Sequence, residues 1–197
     1  MIARTDSKIG YEIRKANLTD APAIEELIKI SARGLSAEDY ASEQIEEALK
    51  GAFGVDTALI RDGTYFVAEA DETLVGCGGW SYRKKLFGGD SRPSDSSGDP
   101  GAGDSDALEL DPRKDSAKIR AFFVHPLWAR KGIARAILAR CEAEARAKGF
   151  KSLELMATLP GIRFYSALGY EGSEPINYPL APDLTIKFIP MRKTLKS

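Results

Sequence analysis

The sequence is poor in the residues that build metal centres and covalent staples, with one histidine and two cysteines among 197 residues. Cys77 and Cys141 stand far apart in stretches of apolar periodicity, without CxxC spacing, so two buried, reduced thiols are expected, with neither a disulfide nor a metal. Long apolar runs are missing too. None approaches the ~20 residues needed to cross a bilayer, and the opening MIARTDSKIGYEIRK has no signal-peptide core. A cytoplasmic protein with no membrane partner is expected. Nor does one sign of charge prevail: 28 Lys and Arg face 29 Asp and Glu, for a net charge of −1 and a pI near 6.0. Such a chain has no global field to gather nucleic acid, which is not expected as a partner, and any basic site has to be local.

What is present has the balance of a globular domain, with 43% hydrophobic and 29% charged residues in a chain long enough to need no staple. Tyr11 to Ala16 alternates as a short strand, and Leu18-Thr19-Asp20 precedes Ile24, Leu27, Ile28 and Ser31 at helical spacing. A second helix is expected from Ser36 or Ala37 to Leu49, turning Tyr40, Ile45 and Leu49 inward. Thr64 to Ala70 and Thr73 to Tyr82 read as two strands joined by a tight turn at Asp71-Glu72. From Phe87 to Asp115 the chain turns to Gly, Ser, Pro and Asp, with few residues able to offset the entropy of ordering. This stretch is expected to be an acidic surface loop inserted in one domain, 1–197.

Order returns with a strand from Ala117 to Val124, ended by His125-Pro126. A helix is expected from about Arg130 to Lys148, with Ile133, Ile137, Cys141 and Ala145 as its apolar stripe and Gly149 as its stop. A strand around Leu153 and Leu155, a short helix from Gly161 to Leu168 and a closing strand from Leu184 to Met191 complete the chain. Strands and helices mixed in this order predict an α/β (α+β) fold.

The segment Trp128 to Arg135 carries Arg130, Lys131 and Arg135 into the start of a helix, where the macrodipole disfavours cations by roughly 0.3–1 kcal/mol each. That arrangement calls for a bound anion. Free backbone N–H groups at a helix start, with Gly132 and Ala134 allowing close approach, suit a pyrophosphate; a solvated basic helix start is the plainer reading. The GxxxxGK[ST] and GxGxxG patterns are both absent, which disfavours nucleotide hydrolysis and dinucleotide binding.

The strand Ile119 to Val124, the turn His125-Pro126, the run Ala129-Arg130-Lys131-Gly132-Ile133-Ala134 and the later Arg163-Phe164-Tyr165-Ser166-Ala167-Leu168-Gly169-Tyr170 resemble the GNAT superfamily of acyl-CoA-dependent N-acyltransferases. The resemblance covers nearly the whole chain, apart from the insertion at 87–115. It implies a central mixed, mostly antiparallel sheet flanked by helices, with two central strands splayed to admit acyl-CoA. Backbone of Phe122, Phe123 and Val124 would pair with the pantetheine arm as an added strand does. Arg130, Lys131, Gly132, Ile133, Ala134 and Arg135 would meet the pyrophosphate. The family usually has Gln or Arg where this chain has Ala129, which removes one side-chain contact and leaves the backbone cradle.

Tyr165 matches the tyrosine that serves as acid toward the departing CoA thiolate. Glu154 resembles a glutamate used as base in some members, and reads more readily as a structural or solvated carboxylate. Thr158 takes the place of an asparagine that contacts the cofactor. His125 is read as a turn residue, and Trp80, Tyr82, Arg120 and Tyr178 as candidates to border the acceptor. The implied activity is transfer of an acetyl group from acetyl-CoA to the primary amine of a small molecule or peptide, in a ternary complex, with a homodimer allowed. Two alternatives stay open: a non-catalytic acyl-CoA-binding module, and a lysine-modifying protein acetyltransferase that uses the acidic loop for docking.

Overall fold

The computed structural model describes residues 10–84 and 108–195. Strand β1 (Glu12–Lys15) leads through a 3-10 turn into helix α1 (Ala21–Leu35). Asn17 caps that turn by accepting from the Thr19 N–H, while Asp20 accepts from the Asn17 N–H. Ile24, Leu27, Ile28 and Ser31 are all buried on one face of α1, as their spacing predicts.

The second helix is shorter than expected. Helix α2 spans Ser42–Ala48, and residues 36–41 form an irregular segment before it. Tyr40 is still turned inward, but as part of that segment. A five-residue helix, α3 (Thr57–Arg61), follows; its start is capped by Asp56, whose Oδ1 accepts from the Leu59 N–H. The hairpin is as expected, with β2 (Tyr65–Ala70) and β3 (Thr73–Ser81) joined at Asp71 and Glu72, which adopt φ of 47° and 61°.

The expected loop at 87–115 lies largely outside the described residues. Its last part is ordered: Glu109 bridges to Arg83, Leu110 is buried, and Asp111 and Asp115 close a turn on each other. Then come β4 (Ala117–Val124), a 3-10 turn, α4 (Ile133–Ala147), β5 (Ser152–Thr158), α5 (Ile162–Ala167), β6 (Glu171–Gly172), β7 (Ile176–Ala181) and β8 (Leu184–Thr194). The sheet runs β1-β2-β3-β4-β5-β8-β6, with β7 also on β8, and every pair is antiparallel except β4 with β5.

Two apolar clusters cover the two faces of the sheet. Ile133, Ile137, Cys141 and Ala145 of α4 pack on one face together with α5, and Ile24, Leu27 and Ile28 of α1 pack on the other with Ile45 of α2. No helix among the described residues is long and apolar enough to cross a membrane.

Candidate active site: a cleft between splayed strands

Strands β4 and β5 pair at only two positions, Ala117 with Leu153 and Lys118 with Glu154. Beyond them β4 stays with β3 as far as Val124, and β5 stays with β8 as far as Thr158. The two strands therefore part along the sheet. A bulge on β4 adds to the separation: Gly79 faces Arg120 and Cys77 faces Phe123, so Ala121 and Phe122 share one opposing residue, and Ala121 takes a φ of 55°. The gap opens into a cleft of about 840 Å³, well sized for a small-molecule ligand.

Beyond Lys118 no strand among the described residues covers the edge that β4 turns to the gap. The His125 N–H donates to Val75 O in β3, at 2.9 Å, and the neighbouring Val124 N–H points the opposite way. There it meets Ser31 Oγ at 3.2 Å. A ligand pairing with this edge as an added β-strand does would take that donor over from Ser31.

At one end of the cleft stands the start of α4. Arg130 and Gly132 adopt φ of 64° and 86°, so the helix begins at Ile133, three residues later than the sequence reading placed it. Its first bond runs from Ala136 N–H to Gly132 O, leaving the N–H groups of Ile133, Ala134 and Arg135 without an intrahelical acceptor. Ile133 is buried, so what it offers at the helix start is its backbone N–H. Arg130 and Ala134 line the cleft, and Lys131, Gly132 and Arg135 are exposed beside it. Lys131 lies over the Trp128 ring, 4.4 Å from its centroid.

Tyr165 of α5 reaches the same cleft from the opposite wall and is 8% exposed. Its ring is held edge-on by Phe164, Tyr170 and Phe122, at centroid distances of 4.9, 5.6 and 6.4 Å. Burial, with a smaller contribution from Cys141, pushes its phenol well above the ordinary tyrosine range. The phenol is therefore protonated at any physiological pH and available as a donor.

Phe122, Phe123, Val124, Arg130, Ala134, Thr158 and Tyr165 thus converge on one cleft. Glu154 is not among the residues that line it; its carboxylate is paired with Lys118 where β4 and β5 last touch. His125 is a turn residue, its Nδ1 capping the 3-10 turn by accepting from Leu127 N–H. Two of the acceptor-site candidates belong elsewhere. Trp80 is in the core beside Phe150 and donates to Glu144 of α4, and Tyr82 packs against Trp80. That both stand at the end of the hairpin's second strand was legible, but the face on which they would fall was not. Tyr178 packs on Phe188 at 6.1 Å.

Arg120 does line the cleft, in a role the sequence did not suggest: it forms a buried ion pair with Asp56, the cap of α3. Asp56 precedes Thr57 and carries an N-cap signature, but the helix it caps is too short to stand out by periodicity. The two side chains are 3% and 2% exposed, so Asp56→Ala would strand a guanidinium in the interior. We expect a loss of about 3–5 kcal/mol of stability and a fall in Tm of roughly 10 °C, measured by thermal unfolding; an unchanged Tm would mean that water reaches the pair.

A family model described as acetyltransferase (GNAT) family matches residues 24–170, which include the splayed strands, the helix start and Tyr165. The chain belongs to the GNAT acetyltransferase family. Solved GNAT structures share its fold at low identity. A GCN5-related N-acetyltransferase from Rhodopseudomonas palustris is 18% identical, with a TM-score of 0.67 over 98% of this chain and 100% of that one. The PaiA N-acetyltransferase of Thermoplasma acidophilum, solved in complex with coenzyme A, is 17% identical, with a TM-score of 0.61 over 95% and 100%. A ribosomal-protein-alanine N-acetyltransferase from Brucella melitensis is 19% identical, with a TM-score of 0.57 over 93% and 99%. No curated protein matches the chain in sequence.

Proposed function

We propose that the protein transfers an acetyl group from acetyl-CoA to a primary amine by direct attack within a ternary complex. The observation that carries this reading is the convergence of three features on one cleft: the β4 edge that no described strand covers beyond Lys118, the start of α4 without a side-chain cap, and the protonated phenol of Tyr165. In this reading the pyrophosphate rests on the amides of Ile133 to Arg135, with Arg130, Lys131 and Arg135 adding charge. The pantetheine arm runs along Phe122 to Val124 toward Thr158 and Tyr165.

The amine nitrogen attacks the thioester carbonyl carbon, the carbon–sulfur bond breaks, and the sulfur leaves as thiolate. Tyr165 donates its hydrogen bond, and then its proton, to that sulfur, while the attacking nitrogen loses a proton to water. Reference values near 10 for a phenol and about 8.5 for a thiol already make the first transfer uphill by roughly 2 kcal/mol, and the burial that raises the Tyr165 phenol adds to that, so the transfer proceeds only as the amine loses its proton. No cysteine offers an acyl-enzyme route: Cys77 and Cys141 are fully buried and outside the cleft, and burial pushes the Cys77 thiol up to about 12.

A second reading, a non-catalytic acyl-CoA-binding module, is favoured by Ala129 at the first cradle position and by the engagement of Glu154 with Lys118. Thermal unfolding with acetyl-CoA, CoA and ATP in parallel tests the cofactor. A ligand at about 100 times its Kd adds about 2.7 kcal/mol, so both CoA species should raise Tm by several degrees and ATP should not. No shift with either CoA species would overturn both readings. Release of CoA in the presence of an amine then separates enzyme from module.

A further inference from the structure

In the proposed reading the cofactor takes the α4 side of the splayed strands, which leaves the other side for the acceptor. On the face opposite α4 and α5, residues 35–40 are strung across the gap. On the β4 side, Ser31 Oγ accepts from Val124 N–H, and Gly34 lies so close to Pro126 that a Cβ there would come within 2.4 Å of its Cγ. On the β5 side, the buried Tyr40 hydroxyl donates to Lys187 O of β8 at 2.6 Å and accepts from Leu159 N–H at 2.8 Å. Gln44 adds a bond to Thr185 O at 2.7 Å. The segment is therefore a fixed roof over the acceptor side.

Charge is divided across this cleft. Arg130, at the start of α4, and Arg163, on α5, line it from the cofactor face. Arg120 is matched by Asp56. The roof brings Glu38 and Asp39, both exposed, both lining the cleft, and neither ion-paired among the described residues. The same cleft has apolar lining from Phe53, Phe123, Met156 and Phe188, with Phe53 edge-on to both other rings. An amine that carries both a hydrocarbon stretch and a second cation finds complementary groups here.

We propose that Glu38 and Asp39, carried by the roof segment, select amines with a second positive charge separated from the reacting nitrogen by a hydrocarbon chain. The inference rests on the acetyltransferase reading above. It also bears on the lack of an evident base: a second cation in the same molecule disfavours protonation of the reacting amine and so raises its neutral fraction.

The test compares putrescine, butylamine and γ-aminobutyrate as acceptors for acetyl-CoA, following CoA release. The three share a four-carbon chain and differ in the charge at the far end. Putrescine should exceed butylamine about tenfold in kcat/KM, the scale of two partly exposed charge pairs, with γ-aminobutyrate slowest. A Glu38→Gln, Asp39→Asn double variant should lose that preference through the acceptor KM, with the acetyl-CoA KM and Tm unchanged. Equal rates with butylamine, a preference that survives the double variant, or no CoA release from any acceptor in a protein stabilised by acetyl-CoA would each overturn the charge rule. Absence of stabilisation by acetyl-CoA would instead overturn the acetyltransferase reading, and the inference with it.

Discussion

Gly132→Glu is expected to weaken acetyl-CoA binding at least about a hundredfold, as read by calorimetric titration. Gly132 holds a φ of 86° at the start of α4, a conformation that costs a side-chain-bearing residue roughly 1–3 kcal/mol. Space is not the obstacle, since the nearest neighbour of an added Cβ is Tyr11 Oη at 4.0 Å. The larger effect is electrostatic. A carboxylate here takes the free amides of Ile133 and Ala134 for itself and repels the pyrophosphate from them. The same charge favours the helix, so α4 should stay folded and the variant should keep a cooperative melt. Gly132→Ala brings the strain without the charge and should lose much less affinity. Normal binding by the glutamate variant would place the phosphates somewhere other than the α4 start.

Tyr165→Phe is expected to lower kcat by about 10²-fold, the lower end of what a positioned proton donor contributes, with the Kd for acetyl-CoA unchanged. The ring is held by edge contacts to Phe122, Phe164 and Tyr170, all of which phenylalanine preserves. The hydroxyl makes no hydrogen bond to another described residue, so its removal leaves no partner stranded. Stability should therefore change little while turnover falls. A wild-type rate in the phenylalanine variant would remove Tyr165 from the proton path and leave water or the amine itself to protonate the sulfur.

Local pattern and tertiary context divide the molecule cleanly. The run Ala117 to Val124 specifies a strand, and the Ile133, Ile137, Cys141, Ala145 stripe specifies a helix and its buried side; both elements are present, with that stripe buried. The hairpin at Asp71-Glu72 is equally local. The ends of elements were less legible. Helix α4 starts at Ile133 because Arg130 and Gly132 turn left-handed, and α2 starts at Ser42 because Tyr40 before it is held by bonds to Leu159, just past β5, and to Lys187 of β8, more than a hundred positions away.

By itself, then, the sequence determined the order of the main elements, the fold class, and the two motifs that meet in the cleft, because periodicity and short-range turn chemistry act over a few residues. Only the tertiary structure decided which side chains share that cleft. Glu154 was drawn to Lys118 by the last registered pair of β4 and β5, Trp80 was turned into the core by the face of β3 on which it falls, and Arg120 was matched with Asp56 from a helix too short to read. The roof that carries Glu38 and Asp39 is of the same kind: its position rests on one tyrosine hydroxyl joining three segments, and contacts between residues so distant in sequence leave no periodic trace.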